Sequence, residues 1–214
     1  MDKKIDKISK ATMSRYPVYL KALRQMEHQG KEVFLSSELY LATGIQDTTI
    51  RRDFTYLAKD ESLGQRGKGY DVKKLIEIFS NALGLNLVEP IIIVGVGNLG
   101  SAILKYNRWH YTVGQIVCGF DSDPNKEGEL YGVKLYNINR LEDEFPKGCR
   151  IAILAISDDI QLTVDRLVAL GIRGIVDFTH EHFTVPNDVD VKHVDVVVAI
   201  QELAIELSMK DQKN

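Results

Sequence analysis

The chain has 214 residues, 44% hydrophobic and 27% charged, with a formal net charge of −3; this is the composition of an ordinary soluble globular protein of one large or two small domains. Two cysteines, Cys118 and Cys149, exclude a disulfide framework, and no apolar run approaches the ~18 residues of a membrane span. The net charge gives no sign of nucleic-acid binding, yet it averages two unlike halves. Residues 1–85 hold 15 Lys and Arg against 11 Asp and Glu, a surplus of four positive charges; residues 86–214 hold 12 against 19, an excess of seven negative ones. Met1-Asp2-Lys3-Lys4 leads into no apolar stretch of a signal peptide. With both cysteines read as buried free thiols, the expected compartment is the reducing cytoplasm.

In chain order, residues 12–28 read as a helix capped by Thr12 or Ser14, with Pro17 in its first turn and Gly30 at its end. Tyr16, Tyr19, Leu20, Leu23 and Met26 form its apolar face. Ser36 and Ser37 precede a short helix, Glu38 to Thr43, broken by Gly44. Asp47 caps a third helix, Thr48 to Lys59, with the stripe Ile50, Phe54 and Leu57. A glycine-rich basic turn follows, Gly64 to Tyr70. Residues 72–83 are again amphipathic, with Leu75, Ile76, Phe79 and Leu83 inward.

The texture changes at Pro90. Ile91-Ile92-Ile93-Val94 reads as a buried parallel strand. Helix 98–106, strand 115–120, a short strand near 133–136, strand 151–156, helix 159–170, strand 174–178 and a strand at 191–196 follow. This alternation predicts a doubly wound α/β sheet. Ile200, Leu203, Ala204 and Leu207 place a separate helix in the tail. The expected domains are a winged-helix reader over 1–85, a Rossmann domain over 86–196 and a C-terminal helix over 197–214.

Short helix, glycine break, capped helix and basic wing, in that order, predict a helix-turn-helix with a wing. The second helix of such a unit enters the DNA major groove. Thr48, Thr49, Arg51 and Arg52 stand near its N-terminal end, where Arg pairs bidentately with guanine. Arg66 and Lys68 stand on the wing. Arg15, Ser36, Ser37 and Lys59 complete the candidate DNA contacts.

In the second half, Gly95-Val96-Gly97-Asn98-Leu99-Gly100 is a GxGxxG that follows a strand and opens a helix. Gly95 permits the tight turn, Gly97 lets backbone approach a pyrophosphate, and Gly100 lets helix pack on strand. The helix N-terminus offers free N–H groups to phosphates. Asp121, or Asp123 if the strand ends later, is placed to accept an adenosine ribose 2′-hydroxyl, which favours NAD over NADP. Ser122 lies between them. No histidine sits in a HExxH or CxxC setting, and His180-Glu181-His182 reads as surface polarity rather than a metal pair. No glycine-flanked nucleophile is present, and too little chain remains for a usual substrate domain. The expectation is a regulator; an oxidoreductase with an accessory domain is the alternative from another class.

Together these motifs resemble the Rex family of redox-sensing transcriptional repressors, from about Arg15 to Leu207. The resemblance is carried by Arg15 to Leu20, Ile50 to Phe54, Arg66 to Val72, Gly95 to Gly100, Phe120 to Asp123 and Gly171 to Ile175. It implies a homodimer whose C-terminal helices swap, with NAD(H) as sensed ligand: NADH releases the double-stranded operator and NAD permits binding. It places Ile156, Ser157, Asp177 and His180 around the nicotinamide ring. The chain departs from the family there, with Ala155-Ile156 for Val-Pro and Asp177-Phe178-Thr179-His180 for Asn-Phe-x-Pro. Asp177 is expected to favour the cationic, oxidised ring and so blunt the response to NADH. A repressor of the same fold with altered sensing is the neighbouring alternative.

Overall fold

The structure is a computed structural model that describes residues 8–57, 63–65, 69–82, 89–105 and 114–211. The chain divides into two compact units, Met1–Val88 with Trp109–Gly114 and Glu89–Arg108 with Gln115–Asn214.

The first unit begins with α1 (Lys10–His28). Its cap is Ser9, whose hydroxyl accepts the Thr12 N–H at 3.2 Å, so the expected caps Thr12 and Ser14 lie inside the helix. Pro17 therefore sits mid-helix, where it removes one backbone donor. The buried face carries the helix past that loss: Tyr16, Tyr19, Leu20 and Leu23 are all at most 1% exposed. Strand β1 (Val33–Phe34), α2 (Ser36–Thr43) and α3 (Asp47–Leu57) follow. Gly44 closes α2 in the left-handed conformation, at φ +71°, which glycine adopts without a Cβ penalty. Strands β2 (Gly64–Gln65) and β3 (Gly69–Asp71) form a hairpin, and β1 pairs with β3 to complete a three-stranded sheet in the order β1-β3-β2. Helix α4 (Val72–Ala82) is capped by Asp71, whose carboxylate accepts the Lys74 N–H. One aromatic cluster holds these elements together: Phe54 meets Tyr19, Tyr70 and Phe79 edge-on at 5.7, 5.2 and 5.6 Å, each such pair adding about 0.5–1.5 kcal/mol beyond burial. Helices followed by a β-hairpin are the expected winged-helix arrangement. The wing residues Arg66 and Lys68, with Lys59 and Leu83, lie outside the described residues.

The second unit is a seven-stranded sheet with the order β10-β9-β8-β4-β5-β7-β6. In chain order its elements are β4 (Glu89–Val94), α5 (Asn98–Lys105), β5 (Gly114–Asp121), β6 (Gly128–Leu130), β7 (Val133–Asn137), α6 (Leu141–Glu144), β8 (Ile151–Leu154), α7 (Ile160–Ala169), β9 (Gly174–Asp177), β10 (Asp190–His193) and α8 (Val196–Asp211). Strand β4 pairs in parallel with β8, β8 with β9, β9 with β10, and β5 with β7. The short β6 is antiparallel to β7, joined through Tyr131 and Gly132, both at positive φ. Central β4 is buried on both faces, as its unbroken β-branched run predicts. Successive strands are added on opposite sides of β4, so the sheet has its switch point at the C-terminal ends of β4 and β8, where doubly wound sheets bind ligands. Cys118 and Cys149 are buried free thiols, and burial, with Cys149 and Glu144 nearby, pushes the Cys118 thiol up to about 12. No helix among the described residues is long and apolar enough to cross a membrane.

Candidate dinucleotide site and DNA-reading surface

The glycine-rich turn joins β4 to α5 at the switch point. Gly95 sits at φ +91°, and a Cβ on it would stand 2.2 Å from the Ala155 carbonyl oxygen. At Gly100 a Cβ would stand 2.0 Å from the Gly95 carbonyl oxygen, so turn and helix meet too closely for any side chain there. Gly97 differs: among the described residues nothing lies within 4 Å of where its Cβ would stand. The open side of Gly97 lines a cavity of about 320 Å³, shared with Gly95, Asp121, Ser122, Ile156 and Ser157. Gly97, Asn98 and Leu99 are exposed, while Val96 is buried.

Asp121 closes β5 beside this turn, but its carboxylate is not free. Oδ2 accepts the Val96 N–H at 2.6 Å and faces the Lys126 ammonium at 2.9 Å; Oδ1 accepts the Asp123 N–H at 2.9 Å. Burial alone pushes this carboxyl up; the Asp123 N–H, Lys126 and the Val96 N–H outweigh it and hold it below its ordinary value. Asp123 is also engaged, capping a short turn by accepting the Asn125 N–H. The expected ribose acceptor thus also braces the turn, with Lys126, which sequence reasoning passed over, beside it. Arg166 on α7 lines the same cavity. It forks onto Glu142 with two contacts of 2.7 Å and pulls that carboxyl down to about 2.

The residues expected around the nicotinamide divide between two cavities. Ile156 and Ser157 line the first; Asp177 and His180 line a second, of about 530 Å³, at the ends of β9 and β10. Asp177 is buried and pairs with His193 at 2.6 Å. His193 was absent from the expected set. Its signal lies only in the strand register, where it stands opposite Asp177.

On the first unit, Thr48, Arg51 and Arg52 are exposed on α3 and Thr49 is half-buried. Arg51 contacts Asp47 at 2.8 Å and Ser36 at 3.4 Å, which ties α3 to α2. Ser37 is exposed and Ser36 buried. Arg15, expected on the DNA, has its guanidinium engaged elsewhere: Nε and Nη2 donate to Asp53 at 2.6 and 2.8 Å. Asp53 is fully buried inside the apolar stripe of α3 and also accepts the Tyr19 hydroxyl at 2.8 Å. Arg15 thus ties α1 to α3 through this carboxylate.

Residues 7–55 match the family described as "Putative DNA-binding protein N-terminus", and residues 88–181 match "CoA binding domain". The redox-sensing transcriptional repressor Rex of Halalkalibacterium halodurans is 38% identical over 205 residues, covering 95% of this chain and 96% of that protein. The protein of the same name from a Geobacillus species is 37% identical over 213 residues, covering 99% and 98%. Among solved structures, RSP in complex with beta-NAD+ and operator DNA superposes with a TM-score of 0.78 at 29% identity, covering 96% of this chain and 94% of that one. RSP in complex with beta-NADH gives 0.76 at 28% identity, covering 96% and 97%. By this likeness along nearly its full length, the chain belongs to the Rex family of redox-sensing transcriptional repressors.

Proposed function

We propose that this protein is a DNA-binding repressor that senses the NADH/NAD+ ratio and leaves its operator when NADH binds. The observation that carries the reading is the full-length likeness to a repressor solved with both operator DNA and NAD+. Residues 1–85 form the reader, 86–196 the dinucleotide domain and 197–214 the dimerisation helix. The dinucleotide lies across the switch point, its pyrophosphate against the open side of Gly97 and the N-terminus of α5. Its adenosine lies toward Asp121, Ser122 and Lys126, and its nicotinamide toward Ile156, Ser157 and the end of β9. The reading makes the protein a regulator rather than a catalyst, its NAD(H) a signal and not a co-substrate. A second copy of the chain is the natural cover for α8, where Val196, Val197, Ile200, Leu203, Ile205, Leu207 and Met209 are all more than half exposed. So large an apolar surface on one helix marks an interaction site.

The operator is read by α3. Among the described residues the Arg52 side chain has no partner, so it is free for a base edge, while Arg51 must leave Asp47 to reach one. Arg52→Ala is expected to weaken specific binding by about 1–3 kcal/mol and leave NADH affinity unchanged. A footprinting titration in which the variant keeps wild-type sequence preference would place the reader on another helix.

Coupling is the test of function. A ligand shifts a two-state protein only by its differential affinity for the two states. NADH at saturation is expected to lower operator affinity at least about fivefold, the lower end of ordinary allosteric coupling, and operator to weaken NADH by the same factor. Fluorescence anisotropy at fixed salt, with NADH and NAD+ in parallel, measures both directions. Equal operator affinity with NADH, with NAD+ and with neither would defeat the sensor reading.

A further inference from the structure

The ends of β9 and β10 lie side by side, with Asp177 opposite His193. Asp177 is 2% exposed and both its oxygens are taken. Oδ1 accepts the Thr179 N–H at 2.8 Å, and Oδ2 lies 2.6 Å from Nδ1 of His193. The imidazole itself is open: its side chain is 60% exposed, and Nε2 has no hydrogen-bond partner among the described residues. It borders the second cavity with His180, Glu181, His182, Asp195 and Glu202. No three His, Cys, Asp or Glu side chains among the described residues converge on a metal position. What the cluster offers is a charge that changes. Imidazole is the one side chain whose ordinary titration falls between about pH 5 and 8. Neutral, His193 leaves the pair with one net negative charge; protonated, it leaves the pair with none.

We propose that the Asp177–His193 pair is the specificity-determining element at the nicotinamide end of the site, and that its charge sets how far the reduced dinucleotide is preferred over the oxidised one. This rests on the dinucleotide reading above. A dinucleotide whose phosphates lie on the β4–α5 turn crosses the switch point toward the ends of β8 and β9, which brings its ring to this pair. The oxidised ring is a cation and the reduced ring is neutral. A negative pair attracts the cation, and a pair of zero net charge does not. NAD+ binding therefore weakens as pH falls, NADH binding stays nearly level, and the ratio Kd(NAD+)/Kd(NADH) rises. The other ionisable groups lining this cavity are Glu181, His180 and His182 on the loop after β9, and Asp195 and Glu202 at and within α8; Lys192 precedes His193 on β10. His180 and His182 are imidazoles too, so the decisive comparison alters His193 alone.

The full-length protein is titrated with NADH, NAD+ and ADP-ribose, which lacks the ring, from about pH 6 to about pH 8.5. The ratio is expected to rise about three- to tenfold on acidification, the scale of two partly solvated charges a few ångströms apart. His193→Gln keeps a hydrogen-bonding side chain that cannot carry a charge; its ratio stays flat, near the alkaline value of the unaltered protein. Asp177→Asn lowers NAD+ affinity at the alkaline end. ADP-ribose affinity stays level throughout. A purely structural pair would move all three ligands together and leave no pH profile. A ratio constant with pH in the unaltered protein, or a pH dependence that survives His193→Gln, overturns the proposal while leaving the dinucleotide reading in place. Absence of binding by NADH, NAD+ and ADP-ribose alike overturns both.

Discussion

Gly97→Val is expected to weaken NADH binding at least about a hundredfold, as the loss of two charge-assisted backbone contacts to the pyrophosphate requires, and to leave the protein folded. The three glycines of the motif have separable duties. Gly95 needs its positive φ, and Gly100 its closeness to the Gly95 carbonyl; a side chain at either displaces protein. Gly97 has open space where its side chain would be, so a branched residue displaces only what comes from outside. The contrast with Gly100→Val makes the experiment decisive. That variant is expected to lose thermal stability as well as binding, because its Cβ has backbone 2.0 Å away. Calorimetric titration with NADH and thermal melting of both variants give the two readouts. Unchanged NADH affinity in a folded Gly97→Val protein would remove the pyrophosphate from this turn.

The difference between these glycines was legible before the structure because the motif is local: strand, turn and helix follow one another directly over residues 89–105 and constrain each other. The alternation of strands and helices was legible for the same reason, since burial on both faces of a parallel sheet writes itself into unbroken apolar runs. What stayed hidden is non-local. Asp53 lies in an apolar stripe, and nothing near it in sequence announces that Arg15, 38 positions earlier, supplies its counter-charge. Asp177 reads as a free carboxylate until strand register sets His193 beside it. Asp121 sits at the expected end of β5, but its hydrogen bonds to Val96 and Asp123 depend on how turn and strand meet in space. The start of α1 was set too late for a different reason. The apolar periodicity begins only near Thr12, while the cap, Ser9, precedes the first buried residue of the helix.

The buried Arg15–Asp53 pair yields the second large effect, and its two halves are not equivalent. Arg15→Ala is expected to destabilise the reader by about 3–5 kcal/mol, because it leaves a fully buried carboxylate without its counter-charge. Asp53→Ala is expected to cost less, about 1–3 kcal/mol, the penalty for unsatisfied buried partners. Arg15 is 24% exposed on its side chain and can turn its guanidinium to water. The buried Tyr19 hydroxyl loses its acceptor and cannot do the same. The pair also raises the cost of charging Tyr19: burial first, and then Asp53, push its hydroxyl up, so the phenol remains the donor that Asp53 needs. Both substitutions act on α3 from behind, through a contact that fixes the helix against α1. Operator binding should therefore fall in proportion to stability, with NADH affinity within about twofold of the unaltered protein, since the dinucleotide site is built from residues of the other unit. Urea denaturation, followed by far-ultraviolet dichroism, orders the two variants. If Asp53→Ala proves the more damaging, the carboxylate is not held by Arg15 as the geometry requires. If Arg15→Ala keeps full stability and loses only affinity for DNA of every sequence alike, the guanidinium belongs to the phosphate backbone, and the anchor of the reading helix lies elsewhere.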